Sequence, residues 1–136
     1  MLIPVESLIM PEGYYYTKGD TWVRREEDGR IHLGITDYAQ KKLKKIEYLN
    51  LPDIESEVVQ NESLGEVESL KAVSEMVSPI SGKVMSINGE AVDNPELLNK
   101  DPYGAGWILE IDCGDYEHQV EGLMNAAQYG KYLDER

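Results

Sequence analysis

Among the residues able to do chemistry, the one with the most telling surroundings is a lysine. Lys71 stands where two β-like runs meet: Leu64 to Leu70 alternates Val67 with Glu66 and Glu68, and Met76 and Val77 lead into a Ser78-Pro79 stop. That alternation reads as a hairpin with Lys71 at or near its tip. A lysine with the ordinary pKa of about 10.4 is nearly all ammonium at neutral pH, so roughly one copy in 10³ is nucleophilic. Such a residue is either a surface charge or an acceptor that a separate enzyme recognises and acylates. The remaining inventory is sparse. With Cys113 as the one cysteine, an intramolecular disulfide and a cysteine-based zinc cage are excluded, and with His32 and His118 as the two histidines a metal site would have to be carboxylate-only. No Cys/His pair and no clustered acid and base suggest catalysis, so the chain is expected not to be an enzyme.

The elements that must position Lys71 are short. Tyr14 to Thr17 and Trp22 to Arg24 read as a first strand, turned by Glu27-Asp28-Gly29-Arg30 into a second at Ile31 to Ile35. A helix then opens at Thr36-Asp37, with Asp37 as the expected cap and Gln40 completing a capping box; Lys41, Lys42, Lys44 and Lys45 lie in and after its later turns, where positive charge suits the helix dipole. These lysines read as a solvated helix end or a docking patch. Ile46 to Leu51 alternates like a strand stopped by Pro52, and Glu57 to Gln60 leads through a turn at Asn61 into the hairpin. After it come a strand at Gly82 to Ile87 with a glycine turn at Gly89, a short helix with Pro95 at its first position, and a strand at Trp107 to Ile111. Asp115 to Leu123 suggests a helix, and Asn125-x-x-Gln128 opens a terminal one running to about Leu133. Trp22 and Trp107 are expected as core or cleft-wall aromatics, Cys113 as an edge or buried thiol, and Asp101 to Gly104 as a turn. Many short strands and few helices predict a small, mainly β sandwich or barrel.

Composition bounds the partners. The 136 residues suit one domain with a modest core. Thirteen basic against 26 acidic residues give a net charge of −13, which argues against nucleic acid or an anionic membrane and for complementary protein surfaces. No lysine or arginine precedes Lys18, and the early apolar run is broken by Glu6. This fits neither a secretory signal nor an Arg-rich transit peptide, and no stretch is long enough to span a membrane, so a cytoplasmic location is expected.

Glu68-Ser69-Leu70-Lys71-Ala72 resembles the lipoyl-attachment signature, whereas biotin carriers flank their lysine with methionines. Gly82, eleven residues after Lys71, also fits the lipoyl pattern, and Asn61 replaces the glycine expected before the tip. Asn is the residue next best suited to a left-handed turn. The resemblance implies lipoate on Lys71 and recognition of the tip by a lipoate ligase, or an octanoyl transferase with lipoyl synthase, through Glu68, Ser69, Ala72 and Gly82.

Further matches run in order along the chain: Tyr16-Thr17-Lys18, Trp22-Val23, Gly34 to Gln40, Leu51-Pro52, Ser78 to Gly82, Asn88, Pro95 to Asn99 and Asp101 to Trp107. Together they resemble the H protein family of the glycine cleavage system, over residues 14–136, with 1–13 as an N-terminal extension. The resemblance implies a mainly β, lipoyl-type barrel-sandwich hybrid of short antiparallel strands with a few short helices and a C-terminal helix. It implies a non-enzymatic carrier whose lysine-linked lipoate moves an aminomethyl group between glycine decarboxylase (P protein), aminomethyltransferase (T protein) and dihydrolipoyl dehydrogenase (L protein). An arm that buries a few methylenes rests on the carrier by ~2 to 4 kcal/mol, weak enough to release.

One part of the family pattern is altered. Where the family commonly shows Lys-x-His-Glu-Trp, this chain has Lys18-Gly19-Asp20-Thr21-Trp22. The resemblance implies that the family's glutamate, with an aspartate four residues after the lysine, holds the cargo's amine; here those positions are Thr21 and Glu75. Asp20 is expected to substitute only with a backbone shift, because neighbouring strand residues point to opposite faces. Asp20, Thr21 and Glu75 are therefore the candidate cargo or arm cleft, and a sulfur-carrying relative in a heterodisulfide-reductase-like oxidation pathway is the alternative.

Overall fold

The structure is a computed structural model that describes residues 3–136. Met1 and Leu2, part of the expected extension, lie outside the described residues. Two antiparallel sheets carry the fold. The larger contains β1 (Tyr15–Tyr16), β2 (Thr21–Arg25), β3 (Ile31–Ile35), β5 (Glu57–Val58), β8 (Gly82–Ile87) and β9 (Leu109–Asp112), in the order β1-β2-β3-β9-β8-β5. The smaller is β4 (Ile46–Asn50), β6 (Ser63–Ser69) and β7 (Val73–Val77), in the order β4-β6-β7. Among the described residues a 3-10 turn at Val5–Ser7 and five short α-helices decorate them: α1 (Asp37–Leu43), α2 (Gly89–Asp93), α3 (Leu97–Lys100), α4 (Tyr116–Val120) and α5 (Ala126–Glu135). The mainly β expectation, with a terminal helix, is met.

Apolar residues from both sheets meet in one core, with Val23, Leu33 and Ile111 from the larger sheet against Leu49, Val67 and Met76 from the smaller. In β6, Leu64 and Val67 both turn inward although they stand three residues apart, because a register shift between Ser63 and Gly65 interrupts the alternation, while Glu66 and Glu68 on either side of Val67 remain half-exposed. A second, aromatic cluster lies behind the larger sheet. There Tyr16 stacks on Tyr129 of α5 at 4.7 Å, and Trp22 is fully buried, its indole N–H donating to the Pro102 carbonyl at 3.0 Å. Gly34, opposite Trp22 across the β2–β3 ladder, leaves room for that ring: a Cβ there would stand 2.8 Å from the indole. Val5, Leu8 and Met10 of the N-terminal segment cover the same cluster.

Several local expectations are corrected. Tyr14 to Arg24 is two strands, because Thr17 Oγ1 accepts from the N–H groups of Gly19 and Thr21, and Asp20 is left-handed at φ 67°. This closes a tight turn between β1 and β2. The cap of α1 is Thr36, whose hydroxyl accepts from the Ala39 N–H, whereas Asp37 is the first helical residue and is buried, holding the Ile9 N–H at 2.9 Å. Gly89 begins α2 where a turn was expected, α3 starts two residues after Pro95, and Trp107 lies ahead of β9, stacked on His32 at 4.2 Å. Asn61 is left-handed at φ 71°, as expected of a glycine substitute, and α5 has both bonds of the Asn125–Gln128 capping box.

Gly82 takes a place different from the one expected. It opens β8 in the larger sheet, opposite Val58, separated from the tip by all of β7 and the 78–81 turn. A Cβ there would run into the Asp112 carbonyl oxygen and stand 2.7 Å from the Ile111 side chain. Close approach of β8 to β9 therefore accounts for a glycine at this position. Gly82→Ala is expected to lower stability by about 2 kcal/mol through overpacking, read from the denaturation midpoint, with the tip unchanged.

Candidate functional site

The hairpin β6–β7 ends in a four-residue turn. The Ser69 N–H donates to the Ala72 carbonyl at 2.8 Å, and the Ala72 N–H donates to Ser69 Oγ at 3.2 Å. Ser69 thus closes the turn with backbone and side chain together, pushing Leu70 and Lys71 outward; Leu70 is 76% exposed. Among the described residues nothing bonds or pairs with Lys71 Nζ, and the side chain is exposed. Glu68 sits just below, between Tyr48 of β4 and Val73 of β7. Ser69→Ala should cost about 1 kcal/mol or less in stability, since a partly exposed hydrogen bond is lost, but loosen the presentation of Lys71. The expected readout is several-fold slower acylation of Lys71 by a lipoate ligase at unchanged secondary structure.

Ala72 and Val73, next to the lysine, form the lip of a cleft of about 240 Å³. Its walls come from the β1–β2 turn, α1 and β7, and Ala39, Leu43, Val67 and Met76 make it apolar. Asp20, Thr21 and Glu75 all line it, so the structure brings together the three residues singled out as an arm cleft. Their side chains are differently committed. Asp20, in the left-handed turn and not on a strand, lines the cleft, but its Oδ1 accepts from the Tyr129 hydroxyl at 2.9 Å and from Arg136 Nη1 at 2.8 Å. Burial, then the Asp20 charge, holds the Tyr129 hydroxyl far above the usual phenol range, so it remains a donor. The hydrogen bond to Asp20 likewise raises the Arg136 guanidinium. Thr21 is buried; its hydroxyl donates to the Val77 carbonyl at 2.7 Å and ties β2 to β7. Glu75 is exposed, and among the described residues its carboxylate has no hydrogen-bond or ion-pair partner.

The cleft also takes the exposed Lys42 from α1, one of the four lysines expected at a solvated helix end or in a docking patch. The signal was present in the spacing: Ala39, Lys42 and Leu43 fall at i, i+3 and i+4 and share a helix face. What the sequence did not contain was the direction of α1, set by Thr36 and by the buried Asp37. Cys113 is partly buried, and burial pushes its thiol up, in keeping with an inert edge residue.

This geometry can be set beside known proteins. The glycine cleavage H-protein family model matches residues 14–136. The chain belongs to the glycine cleavage H-protein family. Among curated relatives, the probable glycine cleavage system H protein of Pyrococcus abyssi is 47% identical over 132 residues, covering 97% of this chain and 98% of the relative. The glycine cleavage system H protein of Mycobacterium sp. is 43% identical over 122 residues, 88% of this chain and 93% of the relative. The crystal structure of a glycine cleavage system H protein from Mycobacterium marinum superposes with a TM-score of 0.83 at 33% identity, covering 92% of this chain and 99% of that one. Membership of this family accords with the fold built above, and the names of these relatives give no support to the sulfur-carrying alternative. Among the described residues no helix is long and apolar enough to cross a membrane.

Proposed function

We infer that this chain is the lipoyl carrier of a glycine cleavage system, with lipoate amide-linked to Lys71 and an aminomethyl group as cargo. The observation that carries the reading is an exposed lysine on a braced turn, opening directly onto an apolar cleft. Lipoate fits these residues: an exposed amine is available for acylation, and an apolar trough begins at the adjacent Ala72 and Val73. When bound, lipoate supplies a dithiolane able to accept a one-carbon amine and be reduced in doing so.

The chain's own residues present and shelter. Ser69 holds the acceptor amine outward, and Glu68 and Ala72 flank it for a lipoate ligase or for an octanoyl transferase and lipoyl synthase. Leu43, Val67 and Met76 offer an apolar wall that stabilises a resting arm by ~2 to 4 kcal/mol. Glu75 is the carboxylate best placed to meet a cationic amine, since Asp20 is already engaged by Tyr129 and Arg136. Tethering gives an effective concentration on the order of mM at any enzyme docked to the same body, so the carrier needs no catalytic residue. Its partners are then glycine decarboxylase, aminomethyltransferase and dihydrolipoyl dehydrogenase, in the cytoplasm, with residues 14–136 as the carrier domain and 1–13 as an extension.

Co-expression with a lipoate ligase, followed by intact-mass measurement and peptide mapping, tests this. One lipoyl group on Lys71 is expected; its absence, or its appearance on another lysine, overturns the reading. Incubating the lipoylated chain with glycine and the decarboxylase then tests the cargo, and no mass gain would remove the aminomethyl assignment.

A further inference from the structure

The chain has twice as many acidic as basic residues, yet five of its thirteen cations gather on one face. Lys18 and Arg136 share the ring of Tyr132, at 6.0 and 5.2 Å from its centroid. Arg136 and Lys42 share the ring of Tyr38, at 5.2 and 6.0 Å. The result is a row of cation, ring, cation, ring, cation. Beside it Lys41 and Lys44 flank a groove of about 400 Å³ whose apolar surface includes Leu133 and Ile3. Lys42 lines both this groove and the cleft beside Lys71, so the row ends at the cleft mouth.

The carboxylates beneath this face are committed. Asp37 lies under Lys41 at 3.3 Å and Asp20 under Arg136 at 2.8 Å, both buried. Among the described residues Lys18, Lys42 and Lys44 pair with no carboxylate. Fixing three long side chains on ring faces gathers positive charge along one strip of a strongly negative molecule.

We propose that this strip is the docking surface for an extended, acidic segment of an enzyme that acts on the arm. That the partner handles the arm rests on the function proposed above; the chemistry of the strip does not. The cations follow one another along a row and do not converge on a point, which matches carboxylates spaced along a peptide better than a single phosphate. Between them the tyrosine rings and Leu133 accept an apolar side chain. Elsewhere the net charge of −13 repels such a segment, so the strip also fixes where it lands.

The test uses the full-length chain, lipoylated and unlipoylated, titrated with a fluorescein-labelled peptide of alternating glutamate and leucine. Fluorescence anisotropy gives affinity, and amide chemical shifts give the site. Expected are shifts at Tyr38, Lys42, Lys44, Tyr132 and Arg136, and binding weakened about tenfold by the double variant Lys42→Glu/Lys44→Glu. Lys83→Glu, at an exposed position of β8, should leave binding unchanged. Equal weakening by Lys83→Glu, undiminished binding by the double variant, or shifts confined elsewhere would each overturn the proposal. So would full displacement by inorganic pyrophosphate at matched charge, which would mark a simple anion site. Binding to both forms leaves the strip independent of lipoylation, so failure of Lys71 to be acylated counts against the carrier reading and not against the strip.

Discussion

Lys71→Arg is expected to give a folded chain that accepts no lipoyl group and supports no glycine cleavage. Arginine keeps the positive charge and much of the length, but its guanidinium stays protonated above pH 12 and does not act as an acyl acceptor. Lys71 is exposed and, among the described residues, unpaired at the centre of a turn that Ser69 and Ala72 close without it, so stability should move by less than about 0.5 kcal/mol. Intact mass after co-expression with a lipoate ligase should match the unmodified chain, and glycine-dependent turnover with the three partner enzymes should fall to background. A lipoylated arginine variant would mean that another lysine is the acceptor.

The second large effect separates two carboxylates that line the same cleft. Asp20→Ala removes the acceptor of a buried tyrosine hydroxyl and of Arg136, and places alanine in a left-handed turn. The cost should be about 2 to 4 kcal/mol, the upper part reduced because Arg136 is about one-third exposed. Glu75→Gln breaks no bond among the described residues and should leave the denaturation midpoint where it is. Its effect falls on the loaded carrier: loss of a charge-assisted contact at an exposed site is worth ~0.2 to 1 kcal/mol, so the cargo should be lost to water up to several-fold faster. Chemical denaturation and the lifetime of the loaded carrier check the pair. Equal destabilisation by both variants, or longer cargo retention in Glu75→Gln, would refute the division of labour.

Much of this architecture was legible because its signals are local. The alternation around Val67, the Ser-Pro stop after Val77, the left-handed Asn61 and the Asn125–Gln128 box each depend on a few neighbours, and each appears in the structure. The errors arose where a tertiary contact decided. Asp37 looked like a helix cap but is drawn inside by the Ile9 N–H and Gln40, leaving Thr36 to cap. Asp20 looked like a strand residue facing away from the cleft, and only the Thr17-centred turn and the C-terminal Arg136 reveal where its carboxylate goes. Gly82 matched a motif by spacing, but spacing does not show that the constraint comes from Asp112 in another strand.

The strand order of the larger sheet has a bearing on how the chain assembles. β9 is the last strand in sequence but lies between β3 and β8, so until residues 109–112 have been synthesised both neighbours remain open edges. The hairpin bearing Lys71 needs no such distant partner: β6 and β7 are joined by three residues, and their contacts are local. Local closure is fast, on the order of microseconds for a hairpin, whereas the sheet waits for nearly the whole chain. On the ribosome the lysine is thus presented early, on a body still unfinished. A nascent chain stalled before Leu109 should expose the acceptor turn and two unpaired strand edges together, and so be prone to aggregate just when its modification site first forms.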